Sequence, residues 1–70
     1  MIALTPHEVE QLLALQNHGT TRPGDLISKP AEKGLREKGL SGRTEDGEWC
    51  MVNRPGVEWL LAAGLIPQEG

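Results

Sequence analysis

The stretch "EKGLSGRTEDGEWCMV", residues 37–52, decides the fold. Lys38-Gly39-Leu40 reads as a helix exit, because a glycine just past a charged helical segment can adopt the left-handed conformation that satisfies the last carbonyls. Two short runs then flank Glu45-Asp46-Gly47. Residues 40–44 and 48–52 are predicted as strands, and Gly47 supplies the positive φ of a tight hairpin tip. Strand alternation sends either Cys50 and Val52 or Trp49 and Met51 into the core, since a one-residue slip exchanges the two faces.

Upstream of this ribbon, Ser28 or Lys29 can cap the helix that ends at Gly39, with Pro30 in its first turn and Ala31 and Leu35 on its inner face. Lys29, Glu32, Lys33, Arg36 and Glu37 are then expected outward, and Gly34 costs roughly 1 kcal/mol against alanine. Residues 20–28, "TTRPGDLIS", hold one apolar pair, Leu26-Ile27. That is enough for a single helical turn or a docked loop, with Thr20 or Thr21 capping the turn. The first helix is announced by "TPHE": Thr5 is its N-cap, Pro6 its first residue and Glu8 the acid of a capping box. Leu4 can staple against Val9, and Val9, Leu12, Leu13 and Leu15 form a helical stripe closed by Gly19, so the helix spans residues 6–18.

Downstream, Asn53 is expected to cap a last helix with Pro55 in its first turn. Val57, Leu60 and Leu61 form the stripe of that helix and Gly64 its stop. Leu65 or Ile66 packs back, and residues 66–70 are read as a frayed tail.

Seventy residues make one domain with one small core. Two Trp with neither Phe nor Tyr leave Leu, Ile, Val and Ala to build most of that core. A formal charge of −3 gives no general attraction to phosphate or to an anionic membrane, so any such attraction is local. Lone Cys50 and the lack of a leader-like segment point to a reducing cytoplasmic setting. No apolar run approaches the ~20 residues that span a bilayer. The chain shows no P-loop, dinucleotide glycine pattern or Ser-His-Asp constellation, and Cys50 has no base beside it in sequence. His7 and His18 lie about 16 Å apart along one helix and cannot share a metal. The expectation is a non-enzymatic protein with no catalytic residue, cofactor or metal site.

The order helix, short helix, helix, hairpin, helix resembles a winged helix-turn-helix domain. Residues 35–65 resemble the second half of bacterial winged-helix regulators of the MarR and related types, on Leu35, Lys38-Gly39-Leu40, Asp46-Gly47, Asn53, Gly56 and Leu60. The resemblance implies an α+β, mostly helical fold: three helices, one β-hairpin wing and a C-terminal helix after the wing. Only nineteen residues separate Gly19 from Gly39, against roughly thirty for a complete helix-turn-helix at usual element lengths. The second helix is therefore expected to be cut short.

Function in that superfamily implies a DNA-binding regulator of phage or plasmid type. The helix bearing Lys29, Lys33 and Arg36 would approach the major groove, with Arg22 and Arg43 beside the backbone. A lone module buries little surface on DNA, so dimerisation through an end helix is expected. All seven Lys and Arg lie between Arg22 and Arg54 together with six acids, a surplus of one positive charge. Arg43, Glu48, Trp49 and Met51 are expected on the outer face and rim of the wing if Cys50 and Val52 point inward. Glu48, Trp49 and Met51 would suit a protein contact better than a phosphate. The alternative is therefore an interaction module, such as a phage-encoded inhibitor or adaptor that binds a host protein complex.

Overall fold

The structure is a computed structural model that describes residues 2–67. Three helices and one antiparallel hairpin follow in the order α1 (Pro6–His18), α2 (Lys29–Glu37), β1 (Ser41–Arg43), β2 (Cys50–Val52) and α3 (Arg54–Ala62), with a single 3-10 turn at Pro23–Asp25 between α1 and α2. The architecture is mixed α+β and mostly helical.

The capping box that starts α1 is complete: the Glu8 amide donates to Thr5 Oγ1 (3.2 Å) and the Thr5 amide donates to Glu8 Oε1 (2.9 Å). Its buried face differs from the apolar stripe of Val9, Leu12, Leu13 and Leu15. Leu12 and Leu15 are buried, Val9 and Leu13 only half so, and two polar residues, Glu8 and Gln11, complete the inner face. Gln11 is inside because it has work to do there: its Oε1 accepts from the Ser28 amide (3.0 Å), which fixes the start of α2 against α1. Ser28 in turn caps α2 by accepting from the Ala31 amide (3.3 Å). The turn at Pro23–Asp25 has no side-chain cap. Thr21 Oγ1 instead donates back to the Gly19 carbonyl (3.1 Å), so neither threonine caps it.

Helices α2 and α3 end on the same device. Gly39 (φ +77°) and Gly64 (φ +72°) take the left-handed conformation, and the next residue's amide bonds back to a leucine carbonyl, Leu40 to Leu35 (2.9 Å) and Leu65 to Leu60 (3.0 Å). Leu35, Leu40 and Leu60 meet Leu12 in the core, with Leu4, Leu13, Val52, Trp59 and Ile66 packed around them. Ile66 therefore belongs to the packed body rather than to a frayed tail, and residues 68–70 lie outside the described residues.

The two strands are shorter than the stretches 40–44 and 48–52, pairing Ser41 with Val52, Gly42 with Met51 and Arg43 with Cys50. Beyond them the ribbon continues as single bonds: Thr44 donates to Trp49 (3.0 Å) and Asn53 to Leu40 (3.0 Å). At the tip the Gly47 amide donates to the Thr44 carbonyl (2.8 Å), and Asp46 accepts from Thr44 Oγ1 and the Glu48 amide. The parity of the ribbon is settled by Cys50, which is fully buried while Trp49 and Met51 remain half-exposed. Because Arg43 faces Cys50 across a pair that exchanges no backbone bonds, the Cys50 amide and carbonyl are left pointing away from β1. Both bond to Thr21 (2.7 and 2.9 Å), so the segment before the 3-10 turn forms a third edge beside β2.

Asn53 occupies the N-cap position of α3 but makes no side-chain cap; its Nδ2 reaches the Gly39 carbonyl (3.5 Å). The helix docks through Gly56. A side-chain carbon there would meet the Leu40 carbonyl oxygen, Val52 Cγ2 (2.8 Å) and Leu12 Cδ1 (3.1 Å). Gly34 likewise leaves room for the Glu8 carboxylate to lie against α2, a packing reason for its helical position.

Candidate functional site

The outer side of α2 and the adjoining rim of β1 form the surface where four of the five basic candidates lie. Lys29 and Lys33 are exposed on α2, and Arg36 stands one turn beyond Lys33. Arg43 enters from the hairpin. It is not displayed on the hairpin's outer face, because pairing opposite Cys50 puts its side chain on the inner face, from which it reaches Glu32.

Glu32 is the centre of the arrangement and corrects the expectation that it faces outward: it is fully buried. It sits three residues before Leu35, on the inward side of α2 at helical spacing. A buried carboxylate needs partners, and two guanidiniums supply them. Arg36 Nε donates to Glu32 Oε1 (2.6 Å), Arg43 Nη2 to Oε2 (3.1 Å) and Arg43 Nε to Oε1 (3.4 Å). The arginine side chains keep 36% and 33% of their surface exposed, so each has one side on the carboxylate and the other in water. Burial pushes the Glu32 carboxyl upward, but the hydrogen bonds from Arg43 and Arg36 outweigh it and hold the group below its ordinary range. Arg43 is correspondingly raised by its bond to Glu32.

The same cluster governs Cys50. Burial raises its thiol, and the Glu32 charge raises it further, so it stays protonated and enclosed. Ser41, two residues before Arg43 on β1, is buried, and its hydroxyl has no hydrogen-bond partner among the described residues.

A second ion pair closes the far end of α2. Lys38 Nζ donates to Glu8 Oε1 (2.7 Å) and to the Ala3 carbonyl (3.3 Å), and this bond, with that of the Thr5 amide, holds Glu8 below the usual carboxylate range. Both Glu8 and Glu32 are therefore lowered from the ordinary carboxylate range when folded. Groups of lowered pKa contribute stability that is present above the unfolded-state value and is lost as pH falls through the folded-state values. The urea midpoint is accordingly expected to hold level at mildly acidic pH and to drop below 4.5. A midpoint unchanged down to about pH 3 would show that neither ion pair forms.

Arg22 is set apart from this surface. Its guanidinium lies over the Trp49 ring, 4.9 Å from the centroid, a cation–π contact beside the hairpin. Asp25 and Glu48 line the cleft of about 640 Å³ beside it, so its charge is opposed there. The structure therefore joins Lys29, Lys33, Arg36 and Arg43 and separates Arg22. On the ribbon, Glu48 is exposed and Trp49 and Met51 are half-exposed. The charge runs alone did not identify Glu32 or the Lys38–Glu8 tie; the spacing of Glu32 to Leu35 and to Arg36 at i+4 is the signal that carries the first.

Among the described residues, no three His, Cys, Asp or Glu side chains cluster as a metal site, and no helix is long and apolar enough to cross a membrane. Comparison with protein-family models, with curated proteins and with solved structures finds no match.

Proposed function

We propose that the chain is a small non-enzymatic winged-helix binding module that contacts DNA through α2 and β1. The observation that carries this reading is the Glu32 bridge. By holding Arg36 and Arg43 together it makes the exposed side of α2 and the rim of the hairpin one rigid cationic surface, continuous with Lys29 and Lys33. Rigid placement matters because phosphate contacts set the register of a protein on a duplex. The element order and the Thr21–Cys50 edge also suit a winged-helix domain whose second helix is reduced to one turn. Pairing of two copies through an end helix would extend a footprint that one module leaves small.

Titration of a fluorescent duplex over a salt series tests this. With Lys29, Lys33 and the Arg36–Arg43 pair, which keeps one net positive charge beside Glu32, each neutralising one phosphate, log K is expected to fall against log salt with a slope of about −3. Lys33→Ala should reduce the steepness by about one. If no duplex binds even at the lowest salt, DNA binding is excluded. The Glu48, Trp49 and Met51 face would then be the contact surface and a protein the partner, because Trp49 and Met51 stay half-exposed on the wing's outer face.

A further inference from the structure

The guanidinium pair on Glu32 is not electrically closed. Two positive charges meet one carboxylate, which leaves one charge uncompensated on a surface that water reaches. The donor inventory is open too. A guanidinium carries five N–H groups, and Arg36 spends only its Nε on Glu32, while Arg43 spends its Nε and Nη2. Neither terminal nitrogen of Arg36 nor Nη1 of Arg43 bonds to protein among the described residues. Both guanidiniums touch the same oxygen, Glu32 Oε1, at 2.6 and 3.4 Å, so their remaining donors are close neighbours. By contrast, Arg54 pairs with Glu58 at 3.4 Å as an isolated exposed pair, and Arg22 is occupied by the Trp49 ring.

Resting on the DNA-binding reading above, we propose that Arg36 and Arg43 act as one clamp for a single phosphodiester at the junction of α2 and the hairpin, with Glu32 as its fixed base. A monoanionic diester matches the one uncompensated charge, and its two non-bridging oxygens can each accept from the planar forks that Glu32 holds in place. Arg36 and Arg43 then make one backbone contact together, beside those of Lys29 and Lys33 along α2.

The test follows the arginine Nε–H resonances of the intact wild-type protein during titration with dimethyl phosphate, with inorganic phosphate as a parallel arm. Arg36 and Arg43 are expected to shift together with one midpoint while Arg22 and Arg54 hold still. Arg36→Lys keeps the charge but loses the fork, and is expected to weaken diester binding about tenfold. The clamp is overturned if all four arginines drift alike, if Arg36 and Arg43 do not move, or if Arg36→Lys binds as the wild type does. If a duplex binds in the salt series without moving these two signals, DNA binding stands and the clamp fails. If the diester moves both but no duplex binds, the clamp stands and the DNA reading fails. A response to inorganic phosphate alone overturns the diester assignment.

Discussion

Gly56→Ala is expected to destabilise the protein by about 3 kcal/mol, the upper part of the range for overpacking a filled core. At the size of this domain that lowers the melting temperature by roughly 12–24 °C. Helix propensity alone argues the reverse, since alanine in a helix is better than glycine by about 1 kcal/mol. Sterics decide the outcome because the obstacle is backbone: the new methyl would meet the Leu40 carbonyl oxygen, with Val52 and Leu12 closing the other sides. That oxygen accepts from the Asn53 amide at 3.0 Å, so it cannot retreat without opening the base of the ribbon. The helix must move instead, and with it the contacts of Leu60 in the core. Thermal and urea melts check this, and a Gly56→Ala protein as stable as the wild type would mean that α3 does not dock at this point.

Removing both partners of Glu32 gives the second large effect. In Arg36→Ala/Arg43→Ala the carboxylate stays fully buried with neither of its salt-bridge partners, and stranding a buried charge costs about 3 kcal/mol or more at neutral pH. The pH dependence changes sign as well as size. With the two hydrogen-bond donors gone, burial acts alone and raises the Glu32 carboxyl above its ordinary value. A raised group contributes stability that is present below the unfolded-state pKa and is lost as pH rises through the folded-state pKa. The double variant should therefore gain stability from neutral pH towards about pH 5, where the wild type, whose Glu32 is lowered, gains none from this group. Urea midpoints at the two pH values separate the cases. Parallel behaviour of both proteins would remove Glu32 from the buried cluster.

What could be read from the sequence was mostly what is encoded within a few residues. The Thr5–Glu8 capping box, the Ser28 cap, the Gly39 and Gly64 exits and the Gly47 tip each depend on neighbours no more than five positions away, and each is present. Strand parity was open because Trp-Cys-Met-Val offers apolar residues to both faces. It is resolved by Cys50 lying between Arg43 and Thr21, the latter 29 positions earlier in the chain. Glu32 was misplaced for a related reason. Its burial needs Arg43, eleven residues on and across a turn, so a count of charges on α2 assigns it to water. Asn53 shows that a capping residue type in the right position does not ensure the cap: its side chain donates through Nδ2 to the Gly39 carbonyl, and its Oδ1 accepts from no amide of the first turn. Gly56 entered the sequence reading only as a point of resemblance, and the approach of Leu40 supplies its physical reason.

Leu40 also says how the molecule must come apart. Its amide closes α2, its carbonyl holds the Asn53 amide and faces Gly56, and its side chain lies in the central cluster. Partial opening of proteins proceeds in contiguous units whose boundaries fall where few bonds cross. No such boundary exists at this residue, because releasing the hairpin frees the end of one helix and the seat of another at the same time. Helix α2, the ribbon and α3 therefore form a single cooperative unit, and the cationic surface carried by the first two cannot loosen independently of the third.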